Sequence, residues 1–159
     1  IKKAETDDVA DPDTAKNLVW GFIHEETKNQ PAAKGAPEAL KKLQAYAQII
    51  ILSNVPHSVY NDRVLNLKNI GMDYPLISNE GMKGPAVKEI LKKHKADSFF
   101  IDDNPYQVES VYNDNPSTVC VHFSVCDLIK PYMPKAVGAS VEPTSWDDLV
   151  SKLINCLKG

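Results

Sequence analysis

Residues 98 to 110 read SFFIDDNPYQVES, an apolar run that ends on two adjacent carboxylates, Asp102 and Asp103. Adjacent like charges repel, and side chains at the end of a buried strand see little water. A bound cation would relieve both problems, and Mg2+, a hard cation that takes oxygen ligands, suits such a pair. Helix capping is the plainer reading, since Asp is common before a helix and Pro105 favours a turn. A second apolar run, QIIIL (48 to 52), ends on Ser53 and Asn54, and Lys83 stands just before another helical pattern. A hydroxyl at a strand end, with a backbone N–H at the following helix start, can hold a phosphate oxygen. A lysine at a helix start neutralises a second. Hydroxyl, lysine and acid, in that order and each at a strand–loop–helix junction, are what phosphoryl chemistry asks of a scaffold. Singly, Ser53, Asn54 and Lys83 are ordinary loop, cap and surface residues.

The elements that must position these residues alternate between short β-type runs and longer helical ones. Strands are predicted at 48 to 52, 75 to 78, 98 to 101 and 118 to 123, with a short edge strand over 136 to 141. Asp13 is expected to cap a helix over 14 to 28 with the apolar stripe Leu18, Val19, Phe22 and Ile23. Further helices are expected through Leu40 and Leu43, from Ser58 to Ile70 with a stop at Gly71, from Pro85, and over 106 to 113. Ser145 caps a last one with the stripe Trp146, Leu149, Val150, Leu153, Ile154 and Leu157. Such alternation predicts an α/β fold: a doubly wound, Rossmann-like, mostly parallel sheet with helices on both faces. In such sheets ligands lie beyond the carboxyl ends of the strands, where Ser53, Asn54 and the Asp pair fall.

A length of 159 residues fits a single domain, with residues 1 to 13 extended or loosely ordered. At 43% hydrophobic residues and no long apolar run, nothing predicts a membrane span. The net charge of -3 gives no sign of a nucleic-acid binder. Cys120, Cys126 and Cys156 have neither an even count nor metal-type spacing, so reduced thiols in a cytoplasmic protein are expected. The start, Ile1 to Glu5, runs directly into acidic residues and does not read as a secretory leader. His57 is placed near the strand ends as a loop residue. His24, His94 and His122 fall in helix or strand patterns, and Trp20 and Trp146 read as core or half-buried.

IIILSNVP, KGPAVKEIL and FFIDDNPYQVESV resemble motifs II, III and IV of the haloacid dehalogenase (HAD) superfamily of phosphohydrolases. The resemblance runs from Gly35 to the final helix. It implies that Ser53 contacts phosphate with Asn54 beside it, and that Lys83 holds both nucleophile and phosphate. It also implies that Asp103 is a direct Mg2+ ligand with Asp102 adjacent. HAD enzymes attack with the first Asp of an Asp-x-Asp motif at the end of the first strand, and the second Asp is the general acid/base. The aspartyl-phosphate so formed is then resolved by water. The only such pattern here is DPDT, which makes Asp11 and Asp13 the candidate pair. The preceding AETDDVA has four polar residues in seven and cannot be a buried central strand. Burying its carboxylates unpaired would cost several kcal/mol each, by rough transfer values. The other expectation is therefore that the nucleophile strand lies upstream of Ile1 or has been lost.

Three functions follow. The first is a Mg2+-dependent HAD-like phosphohydrolase acting on a phosphorylated substrate. The second is a catalytically inactive HAD-fold binding or assembly protein. The third is a receiver-type phosphoacceptor domain, ranked last because there the acid pair precedes the hydroxyl and lysine. The short interval between Ser53 and Lys83 has no room for a large cap domain. An open site suits a large substrate or a second subunit that covers it, so a homo-oligomer is also expected.

Overall fold

The computed structural model describes residues 8–94 and 96–158. The reading of residues 1–7 as extended, and as unable to supply a central strand, lies outside the described residues. Four strands are present: β1 (Ile51–Ser53), β2 (Leu76–Ser78), β3 (Phe99–Asp102) and β4 (Val119–His122). They alternate with α1 (Pro12–Glu26), α2 (Ala36–Leu43), α3 (Tyr60–Asn69), α4 (Gly84–Lys93), α5 (Pro105–Asp114) and α6 (Trp146–Lys158). Both strand ladders are parallel, as the βα alternation requires. β1 runs beside β2 from Ile51–Leu76 to Ser53–Ser78, and β3 beside β4 from Phe99–Val119 to Asp102–His122. No helix among the described residues is long and apolar enough to cross a membrane.

Side-chain alternation along β3 and β4 explains the layers. Phe99 and Ile101 point to one face, where Val121 joins Ala39 and Leu43 of α2 and Leu149, Val150 and Leu153 of α6. Phe100 and Cys120 point to the other, packing on Val87 of α4 and Val108 and Val111 of α5. The half-sheet is therefore covered by helices on both faces, as two-sided apolar strands demand. Burial also pushes the Cys120 thiol pKa up, consistent with an inert core residue. A third cluster holds Val55, Val59, Leu67 and Leu76, with Ile23 and Ile51 against it.

The structure differs from the sequence reading at four places. The sheet is in two halves, because no ladder joins β1 to β3 among the described residues. Leu52 packs on the same cluster as Phe100, so side chains link the halves. The edge strand expected over 136 to 141 is a single parallel bridge, Val121 to Val141. Gly138, with φ 78°, turns the chain before it, and only Ser140 and Val141 reach the edge of β4 to bond Cys120 and His122. Helix α1 starts at Pro12, so Asp11 rather than Asp13 is the cap, accepting from the Thr14 N–H at 2.9 Å. Proline at the first helical position lacks only an N–H that would be unpaired anyway. Finally, Leu18, Val19, Trp20 and Phe22 are exposed, and of the expected stripe only Ile23 reaches a core cluster.

The cap of α6 is as expected. The Asp148 N–H donates to Ser145 Oγ at 3.1 Å, and the Asp148 carboxylate accepts from the Thr144 N–H at 2.9 Å. The Lys152 ammonium beside it, with the Thr144 N–H bond, holds the Asp148 pKa below the usual carboxylate range. Trp146 meets Phe123 edge-on at 4.9 Å and closes over Gly35, whose φ of 89° needs glycine.

Candidate functional site

Ser53 and Ser78 are paired at the carboxyl ends of β1 and β2, and Asp102 ends β3. The loop 79–83 after β2 ties these ends together. The Asn79 N–H donates to the Ser53 carbonyl at 2.9 Å. The Gly81 carbonyl accepts from Asn54 Nδ2 at 2.8 Å, from Gln107 Nε2 at 3.2 Å and from Asn79 Nδ2 at 3.3 Å. Asn79 also donates to Asn54 Oδ1 at 2.8 Å. One carbonyl thus collects donors from β1's end, the loop and α5, and the φ of 77° at Gly81 is what aims it there.

Lys83 is held from three directions. Its N–H donates to Gln107 Oε1 at 2.8 Å, its stem crosses the Phe100 ring with Nζ 6.0 Å from the centroid, and Nζ donates to Asp102 Oδ2 at 2.7 Å. The side chains of Lys83 and Asp102 are 13% and 7% exposed, so this ion pair is largely dry. Asp102 Oδ1 accepts from the Asn104 N–H at 2.9 Å. Strand period decides which acid Lys83 meets. Asp102 is two residues from Phe100 and shares its face, whereas Asp103 leaves the strand and is exposed. The Asp103 carbonyl is bonded to His122 Nε2 at 3.0 Å. Ser110 of α5 and Asn115, its C-cap residue, complete the clamp on the start of α4, bonding the N–H and carbonyl of Gly84 at 3.1 Å and 3.0 Å.

The sequence-predicted residues therefore fall into three groups. Lys83 and Asp102 touch. Ser53 and Asn54 line a cleft of about 240 Å³ with Ile23, Thr27, Gln30 and Arg63, and are joined to Lys83 through Gly81 and Gln107. Asp11 and Asp13 are exposed on α1, and no hydrogen bond or ion pair among the described residues joins them to Ser53, Lys83 or Asp102. The Asp11 pKa is lowered by its hydrogen bonds to Thr14, the behaviour of a cap carboxylate. His57 is exposed but not simply solvated. The Ser78 hydroxyl donates to the Val55 carbonyl at 2.8 Å, so His57 Nδ1 is the donor in its 3.1 Å bond to that hydroxyl.

Gln107 and Arg63 were missed by the sequence reading. Gln107 follows Asn104 by three residues, the spacing of a local capping box, which hides its long-range role. Arg63 carries a signal that composition alone contains: it is the only arginine in the chain. Among the described residues no three His, Cys, Asp or Glu side chains gather as a metal site. Both Asp102 oxygens are already bonded, to Lys83 and to the Asn104 N–H, and Asp103 is exposed, so the pair by itself falls well short of a full octahedral shell.

With parallel strands and helices on both faces of the β3–β4 half, the chain has an α/β fold of haloacid dehalogenase-like type. A crystal structure described as a haloacid dehalogenase-like hydrolase from Burkholderia xenovorans LB400 matches it with a TM-score of 0.61 at 17% identity. The match covers 87% of this chain and 66% of that one, so the chain spans just under two thirds of that protein's length. No protein-family model matches the chain, and no curated protein matches it in sequence.

Proposed function

We propose that this domain handles a phosphorylated substrate as a HAD-like, Mg2+-dependent phosphohydrolase. The observation that carries the reading is the dry Lys83–Asp102 pair at the same strand ends as Ser53 and Asn54. In this reading the Ser53 hydroxyl and nearby backbone N–H groups orient one phosphoryl oxygen. Lys83, fixed by Asp102 and Gln107, directs its remaining N–H donors at a second oxygen and at the attacking carboxylate. Asp103, exposed beside Asp102, takes the cation. When bound, Mg2+ neutralises charge on the phosphoryl group. The attacking carboxylate would end an apolar strand with Asp-x-Asp, a pattern that residues 8–158 contain only as the helix-capping DPDT. A single domain acting in the cytoplasm on a phosphorylated substrate completes the proposal.

The engagement of Asp11 as a helix cap favours a second reading, an inactive HAD-fold module that binds but does not turn over. An aryl phosphate tests both. Mg2+-assisted binding is expected, with release of the aryl alcohol only from a chain that also carries an apolar strand ending in Asp-x-Asp; binding without release there would favour the inactive module. Turnover that is lost in Asp11→Asn would make DPDT the nucleophile motif, and absence of binding would sink both readings. Calorimetric titration should find Mg2+ binding weaker than micromolar, because two carboxylates leave most of the shell to water. Asp103→Asn should abolish it without loss of stability, since it relieves repulsion from Asp102. Sub-micromolar affinity would mean that further ligands exist.

A further inference from the structure

The cleft at the end of β1 has a cation on its wall that the phosphoryl chemistry above does not use. Arg63, on the second turn of α3, donates from Nη1 to Gln30 Oε1 at 2.8 Å and to Asn66 Oδ1 at 2.7 Å. Both acceptors are neutral amides. Among the described residues no carboxylate pairs with it, and Nε and Nη2 make no hydrogen bond to protein. Nor are those donors sealed in: the only fully buried side-chain polar atom without a partner, among the described residues, is Trp146 Nε1. They therefore open to the cleft or to solvent at its rim. Burial meanwhile lowers the Arg63 pKa, so the site disfavours the very charge it holds.

A purely structural role does not account for this. Asn66 already ties the segment after α1 to α3 by donating to the Lys28 carbonyl at 3.2 Å and the Gln30 carbonyl at 2.9 Å. A neutral side chain could assist it at lower desolvation cost. The chain uses lysine for its other 17 basic residues and arginine only here. A guanidinium differs from an ammonium in presenting a planar fork that matches two oxygens of a carboxylate or phosphate. Ser53 lines the same cleft.

We infer that Arg63 is a specificity-determining residue that takes an oxyanion of the ligand, so that the substrate class is a phosphate ester bearing a second anionic group, phosphate or carboxylate. The inference rests on the substrate lying in the β1 cleft, as the phosphohydrolase reading has it. The fork supplies Nε and Nη2, and Gln30 and Asn66 hold its plane by binding Nη1.

A sole arginine gives a sole side-chain Nε–H resonance, which makes a direct test possible on the 15N-labelled chain. Titration with sodium phosphate, sodium malonate and, at matched ionic strength, sodium chloride should give a saturable shift for phosphate or malonate only. The anion giving the tighter curve identifies the phosphate or carboxylate source. Arg63→Lys keeps the charge and loses the fork; followed by the backbone amide shifts of Ser53 and Asn54 in the same cleft, it should bind the preferred anion about tenfold more weakly, the size of one charge-assisted hydrogen bond. A shift matching that of chloride, or unchanged binding by a folded Arg63→Lys, overturns the inference. The resonance reports the cleft whether or not the aryl phosphate binds or turns over, so the two readings fail separately.

Discussion

Lys83→Met is expected to destabilise the domain by about 3–5 kcal/mol, because it removes the only cation that pairs with a buried carboxylate among the described residues. The side chain of Asp102 is 7% exposed and, among the described residues, keeps only the Asn104 N–H as a partner once Lys83 is gone. For a domain whose whole stability is of order 5–15 kcal/mol, such a loss is severe. Urea denaturation measures it, and the double variant Lys83→Met/Asp102→Leu decides the cause. With both charges replaced by apolar groups over the Phe100 ring, most of the loss should be recovered, because the pair itself is worth little beyond its own desolvation. Additive losses in the double variant would show that each side chain matters for packing rather than for pairing. Recovery of stability without recovery of aryl phosphate binding would mark the pair as retained for function.

Gly84→Ala should cost about 3 kcal/mol, against the direction that helix propensity gives. An alanine inside a helix ordinarily gains up to about 1 kcal/mol over glycine. At Gly84 a Cβ would overlap the Ser110 carbonyl oxygen and the Asp114 carboxylate, and would stand 2.7 Å from Ser110 Oγ. A backbone oxygen cannot rotate away, so α4 and α5 must separate, straining the buried Asn115 bond to the Gly84 carbonyl. Lys83 precedes this residue and would be displaced with it. Gly21, in the interior of α1, is the control: beyond its chain neighbours and its own helix backbone, no atom of the described residues lies within 4 Å of its would-be Cβ. Gly21→Ala should therefore stabilise by about 0.5–1 kcal/mol. Thermal melts of the two variants should move in opposite directions, and a gain at Gly84 would mean that the two helices are not in such close contact.

What the sequence determined by itself is local. Short β-branched runs, glycine stops and cap residues placed all four paired strands and all six α-helices of the described residues within a few residues, and put Ser53, Lys83 and the Asp pair at junctions. These features depend on neighbours along the chain, through backbone conformation and side-chain period. At α1 the local signals competed, since Asp11 and Asp13 can both cap, and Pro12 settled the choice. The tertiary structure decided everything that needs two distant segments. It chose Asp102 over Asp103 for Lys83, because only the residue sharing Phe100's face can meet a side chain crossing that ring. It drew Gln107 away from its local cap toward Lys83 and Gly81, and left the apolar residues Leu18, Val19 and Phe22 of α1 exposed. It also brought Arg63 to the wall that Ser53 shares, ten residues away in sequence and on a different element. No periodicity encodes such a meeting, because hydrogen bonds and ion pairs between elements depend on how the elements pack, and packing is a property of the whole chain.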